Sequence, residues 1–306
     1  MTRAKAKKAT HGKQPGGKQA EGKPPKKGLP WFAWLLIALA IAGVVVFVRI
    51  YPMGQPSPDN LGKLKAAIVD QLSTFQENEQ FIANVTRELE DYGFEVDLYQ
   101  GDEITVEFYR ELPTHGYKLI IFRAHSGILA QDGEVILRTV LFTNEEYSES
   151  DYYLEQIYDQ LVMGRAGEGC PMMFGITPEF VSAKSVVGQA TDMKGRFDDT
   201  VIIMMGCSGI YLTDLAQAFV DKGASVYLAW DRSVELYYVD EATLYLIGQL
   251  CSEKATIKEA VDSTMHVIGA DPEYEAELQY YPSGTGDKTL EELVKMEFDA
   301  GDDAGA

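Results

Sequence analysis

The chain has 306 residues, room for one or two domains, with 27 Lys/Arg against 47 Asp/Glu and a formal charge of −20. The asymmetry is sharper than the total: residues 1–29 hold nine Lys/Arg and one acid, whereas residues 51–306 hold 17 basic and 46 acidic residues, a charge of −29. A surface of that sign repels nucleic acid and anionic lipid, and three cysteines are too few and too odd in number for a disulfide framework.

Residues 1–29 are rich in Lys, Gly, Pro and Gln without apolar periodicity, and read as a disordered basic cytoplasmic tail. Pro30–Val48 carries no charge, with Trp31 and Trp34 at one end and Arg49 and Tyr51 at the other. Residues 30–50 therefore read as a transmembrane helix, and the Lys-rich flank sets an orientation with residues 51–306 outside. The chain is thus expected in the cell membrane as a single-pass protein. A cleaved signal peptide is the alternative, because Ala38-Leu39-Ala40 looks like a cleavage site, but it lies inside the apolar run. Residues 51–62, rich in Pro and Gly, read as a linker.

Beyond the linker, short apolar runs alternate with helical patterns. Lys65–Leu72, Glu95–Tyr99, Lys118–Ala124, Thr139–Thr143, Met172–Ile176, Thr200–Met205 and Ser225–Trp230 are expected strands. Helices are expected at 81–92, stopped by Gly93, at Val106–Leu112, at Tyr152–Val162, and along the Leu212, Leu215, Ala216, Phe219 stripe that ends at Gly223. Two more follow around Ala242–Leu250 and Ile257–Met265, and a last one at Leu290–Phe298 before a fraying acidic end. This alternation predicts an α/β fold, a mostly parallel sheet flanked by helices on both faces, over residues 63–270, with 271–306 as a C-terminal extension.

Two strands carry the chemistry. Leu119–Ala124 runs into His125-Ser126-Gly127, and Val201–Met205 runs into Gly206-Cys207-Ser208-Gly209. As neighbouring parallel strands they would deliver an imidazole and a thiol to one carboxyl edge, where open α/β sheets bind ligands. A thiol beside an imidazole is a nucleophile beside its base. The following helix N-terminus would favour the thiolate, and the amides of Gly127 and Cys207 would hold a developing oxyanion. His11, His115 and His266 lack this setting. Cys170 and Cys251 read as structural, with a bridge between them left open. No zinc spacing and no phosphate-binding Gly-rich loop is present, so no metal or organic cofactor is expected; the acidic surface leaves calcium binding open.

Strand–His–Ser–Gly followed by strand–Gly–Cys resembles the caspase-like (clan CD) cysteine peptidases. GCSGIYLTDLAQAFVDKGASVYLAWDRSV, then DEATLYLIGQL and TIKEAVDST, is similar to the CHAT-domain and gingipain-like pattern. The resemblance spans roughly residues 64–270 and is poor over 130–198. It implies a caspase-like fold and a Cys–His dyad, His125 as base and Cys207 as nucleophile, in a membrane-anchored extracytoplasmic thiol protease acting on a peptide or protein. Ser126, which stands where relatives often have Gly, and Trp230 and Asp231 at the end of a later strand are candidates for the substrate pocket, with a helix cap or turn acid as the other reading of Asp231. The acid that basic-specific relatives carry two places before the Cys is Met205 here, which weakens basic specificity. Two other readings stay open. One is an inactive caspase-like scaffold or sensor displayed on the membrane to bind a protein partner. The other is a flavodoxin-like ligand-binding domain.

Overall fold

The computed structural model describes residues 64–131, 134–165, 167, 169–182 and 192–294. The expected tail, membrane helix and linker lie outside them, as do residues 295–298 of the expected last helix. Among the described residues no helix is long and apolar enough to cross a membrane.

The organising element is a six-stranded sheet. Its strands are β1 (Lys65–Asp70), β2 (Glu95–Gln100), β3 (Leu119–Arg123), β8 (Thr200–Met204), β9 (Ala224–Trp230) and β10 (Leu278–Tyr281). They run in the order β10-β9-β8-β3-β1-β2, parallel except for β10, which is antiparallel to β9. Every residue of β3 and β8 is buried, as continuous apolar strands covered on both faces should be.

Alternation along these strands divides the core. Ala66, Ile68, Leu119, Ile121, Val201 and Ile203 pack with α1 (Glu79–Tyr92), α6 (Leu236–Cys251) and α7 (Ile257–Val267). Ala67, Val69, Ile120, Phe122, Ile202 and Met204 face the other way, toward α2 (Val106–Glu111), α4 (Pro178–Ser182) and α5 (Asp214–Asp221). Caps set the helix ends. The Asn78 side chain accepts from the Phe81 N–H at the start of α1, and Gly93 ends that helix at φ +115°.

A second, four-stranded antiparallel sheet accompanies the first: β4 (Ser126–Gln131), β5 (Glu134–Glu146), β6 (Leu161–Gly164) and β7 (Met173–Ile176), in the order β4-β5-β7-β6. Here the sequence expectation needs correcting. Residues 152–162 form only the short α3 (Tyr153–Ile157), because Asp159 turns the backbone at φ +55° and Leu161 enters β6. The strand expected at 139–143 is the middle of the longer β5. The segment expected as an extension supplies β10 to the main sheet and the short α8 (Leu290–Leu293) to its core.

Candidate functional site

Phe122 of β3 and Met204 of β8 are partners in the parallel ladder, which the Met205 N–H extends by donating to the Phe122 carbonyl at 2.9 Å. His125 and Cys207 each follow three residues later, so they leave the same edge of neighbouring strands. Both line one cavity of about 570 Å³, together with Ser126, Gly127, Ser208 and Ser233.

The two strand ends are tied together. The Ser126 hydroxyl donates to the Cys207 carbonyl at 2.8 Å. Gly206 runs so close to the other loop that a Cβ there would lie 2.4 Å from the Ala124 carbonyl oxygen and 2.8 Å from the Ser126 nitrogen. Only glycine permits that approach.

His125 is held at both backbone ends. Its N–H donates to Gln71 Oε1 at 2.9 Å, and its carbonyl accepts from the Phe142 N–H at 3.0 Å. Phe75 meets its ring edge-on at 5.1 Å. Nε2 is buried and has no hydrogen-bond partner. Burial pushes the imidazole down to about 4, so the ring is neutral at neutral pH. A buried polar atom without a partner is costly, and this one belongs to a residue that lines the same cavity as Cys207.

Beneath the histidine lies a charged network that reasoning from the sequence missed. Arg123 is fully buried, with Nη1 donating to Asp70 Oδ1 at 2.8 Å. Its Nε and Nη2 grip both oxygens of Asp240 at 2.8 and 2.9 Å. Asn78 donates to Asp240 and Gln100 donates to Asp70. Burial opposes the charge of Arg123, but the bonds and charges of Asp240 and Asp70 outweigh it and hold the guanidinium above its ordinary value. The network joins the ends of β1 and β3 to α1 and α6. An arginine inside the apolar run 119–124 was the available signal. Gln71 carried none, because its partner is a backbone group 54 positions away.

Cys207 Sγ accepts from the Val234 N–H at 3.4 Å and lies 3.8 Å from the Val234 carbonyl. The thiol can donate to that carbonyl, and a thiolate would take the N–H. The expected contribution of a following helix is not built this way. Ser208 adopts φ +53°, the chain turns through 208–213, and α5 starts only at Asp214. The three cysteines are free, with no disulfide between Cys170 and Cys251. Burial and the nearby charge of Glu88 push the Cys251 thiol up to about 12.

The remaining expected residues divide. Ser126 and Gly127 line the cavity, but Gly127 pairs with Val140 in the antiparallel ladder. Since Phe142 donates to His125, the next bonded pair two residues on is Gly127 with Val140, which turns the Gly127 N–H toward β5. Of the two amides expected to hold an oxyanion, that of Cys207 lies outside this ladder. Trp230 is buried in the main core against Tyr238, with ring centroids 5.4 Å apart. The Asp231 carboxylate accepts from the Glu277 N–H at 2.8 Å, pinning the turn into β10. Neither residue lines the cavity. Among the described residues no group of three or more His, Cys, Asp or Glu is placed to hold a metal ion.

No family model matches the chain, and no curated protein matches it.

Proposed function

We propose that this protein is a cysteine peptidase of caspase-like fold, anchored in a membrane by residues 30–50 with its catalytic domain outside the cytoplasm. The observation that carries the reading is the register: a thiol and an imidazole three residues past one ladder pair, lining one cavity. The sheet order is shared by doubly wound folds of many functions, so the chemistry is argued from the site alone.

Cys207 Sγ attacks the scissile carbonyl carbon, and its proton passes to neutral His125. The negative charge that passes from sulfur to the carbonyl oxygen as the C–S bond forms stabilises the imidazolium that burial alone disfavours. The Cys207 N–H holds the oxyanion, and the Val234 N–H steadies the sulfur. The tetrahedral adduct collapses, and the amine leaves with the proton from His125. Water, deprotonated by the same ring, then cleaves the thioester and regenerates the thiol. Every step uses groups of this chain and water alone.

The scaffold reading retains one specific support. A histidine pushed to about 4 is a weak base until a charged partner forms. The test is labelling by a thiol-reactive peptide electrophile combined with hydrolysis of a peptide library, for wild type, Cys207→Ala and His125→Ala. The peptidase reading expects labelling and hydrolysis in wild type, both lost in Cys207→Ala, and hydrolysis lost in His125→Ala. A wild type inert to every such reagent overturns the peptidase reading and favours the scaffold.

A further inference from the structure

We infer that the cavity beside Cys207 receives an apolar peptide side chain, so that the chain, read as a peptidase, cuts next to aliphatic or aromatic residues. This rests on the peptidase reading for the cutting but not for the binding.

The lining is the argument. Among the described residues Ile128, Val140, Phe142, Met163 and Met172 supply the apolar part of the lining, about half of it, beside the His125 ring and three serine hydroxyls; Arg165 contributes the one charge and no described carboxylate lines the hollow. Two glycines keep the hollow open. A Cβ at Gly164 would lie 2.6 Å from the Phe142 ring, and one at Gly175 would lie 2.3 Å from Val140 Cγ1. Phe142 and Val140 therefore lie down over β6 and β7 rather than standing up into the space. Met163 and Met172 are 49% and 37% exposed, large apolar side chains left in solvent on a strongly acidic chain. Soft, unbranched methionines at the wall of a cavity adapt to ligands of varied shape.

Each rival side chain meets a specific obstacle. A lysine or arginine entering the hollow would lose hydration, find no carboxylate among the described lining residues, and face Arg165. Met205, at the place where an acid would receive it, is buried in the main core. An aspartate or glutamate would find Arg165 alone, an exposed cation whose attraction water and salt weaken. A leucine, methionine or phenylalanine gains burial against five apolar neighbours and leaves no charge unpaired.

The test separates binding from cutting. Peptides ending in Leu, Phe, Arg or Asp, the form a product would take, are titrated calorimetrically into full-length Cys207→Ser. Leu and Phe peptides are expected to bind at least on the order of tenfold tighter than Arg or Asp peptides. Met163→Glu, at an exposed position, should weaken Leu and strengthen Arg. Equal affinities, tighter Arg or Asp binding, or no binding by any peptide overturns the inference. Leu binding in a wild type that hydrolyses nothing sinks the peptidase reading and keeps the pocket. Hydrolysis after Arg does the reverse.

Discussion

The Ser126 hydroxyl reaches across to the Cys207 carbonyl, 81 positions away in sequence, at 2.8 Å. That bond and the bare backbone of Gly206 make the two loops one unit. Gly206→Ala should disrupt it. The added methyl would overlap the Ala124 carbonyl and the Ser126 hydroxyl, which lies 2.3 Å from where it must go. Crowding of this kind costs about 1–3 kcal/mol, because backbone rather than a flexible side-chain tip must yield. Urea unfolding should show the loss, and thiol labelling should slow as the loops part. Unchanged stability would mean that the loops are not coupled. Ser126→Ala is the milder probe, at about 1 kcal/mol.

Arg123 gives the largest expected effect. It neutralises two buried carboxylates, and removing it leaves both unpaired in the core. Arg123→Ala should cost about 3–5 kcal/mol, whereas exposed pairs such as Lys288 with Glu292 should contribute about 1 kcal/mol or less. Denaturant midpoints of Arg123→Ala and Lys288→Ala make the comparison. Similar losses would show that the buried cluster is not what joins β1, β3 and α6.

The parts of this structure that the sequence made legible are those whose residues act locally or en bloc. Continuous apolar runs ending in His125 and Cys207 can be read as strands because burial on both faces removes polar interruptions. The shared edge then follows from pairing the two runs. The second sheet was harder. Leu154, Ile157 and Leu161 fall at helical spacing, yet Asp159 breaks the helix with a left-handed residue and Leu161 pairs with Ile176. Gly127, read as a free loop amide, belongs to β4, since pairing with β5 is a long-range choice that leaves no local pattern. From the sequence, Trp230 is a candidate for the substrate pocket. Strand alternation instead sends it into the layer of α6, beside Leu228 and Val226 of the same face.

Acid should weaken the fold through His125. Its ring titrates near 6.5 when unfolded and near 4 when folded, because burial disfavours the charged form. The unfolded state therefore binds more protons between those values. The stabilising contribution is complete above about 6.5 and is lost as pH falls toward 4. Wild type should lose about 3 kcal/mol more than His125→Asn over that window. Unfolding midpoints at pH 7, 5.5 and 4 measure the difference, and parallel curves would place the ring in water. In the peptidase reading, the acid limb of kcat/KM also falls below the ordinary histidine range.

Gln71 links the ends of three strands through one side chain. Its Oε1 accepts from the His125 N–H, its Nε2 donates to Asn144 Oδ1 at 2.6 Å, and its own carbonyl accepts from Asn144 Nδ2. The residue is 2% exposed, so no water replaces a missing partner. Gln71→Ala should cost about 1–3 kcal/mol by stranding the His125 N–H and the Asn144 side chain. Gln71→Glu keeps an acceptor for His125 but offers no donor to Asn144 Oδ1, whose amide is fixed by its bonds to the Gln71 and Gly101 carbonyls, so it lowers stability as well. In the peptidase reading, if Gln71 acts by fixing the histidine, Gln71→Glu should retain more hydrolysis than Gln71→Ala, with kcat rather than KM carrying the change. If it only fills space, Gln71→Leu, close to it in volume, should behave like wild type in kcat, and the link from β1 to the imidazole would have no part in the chemistry.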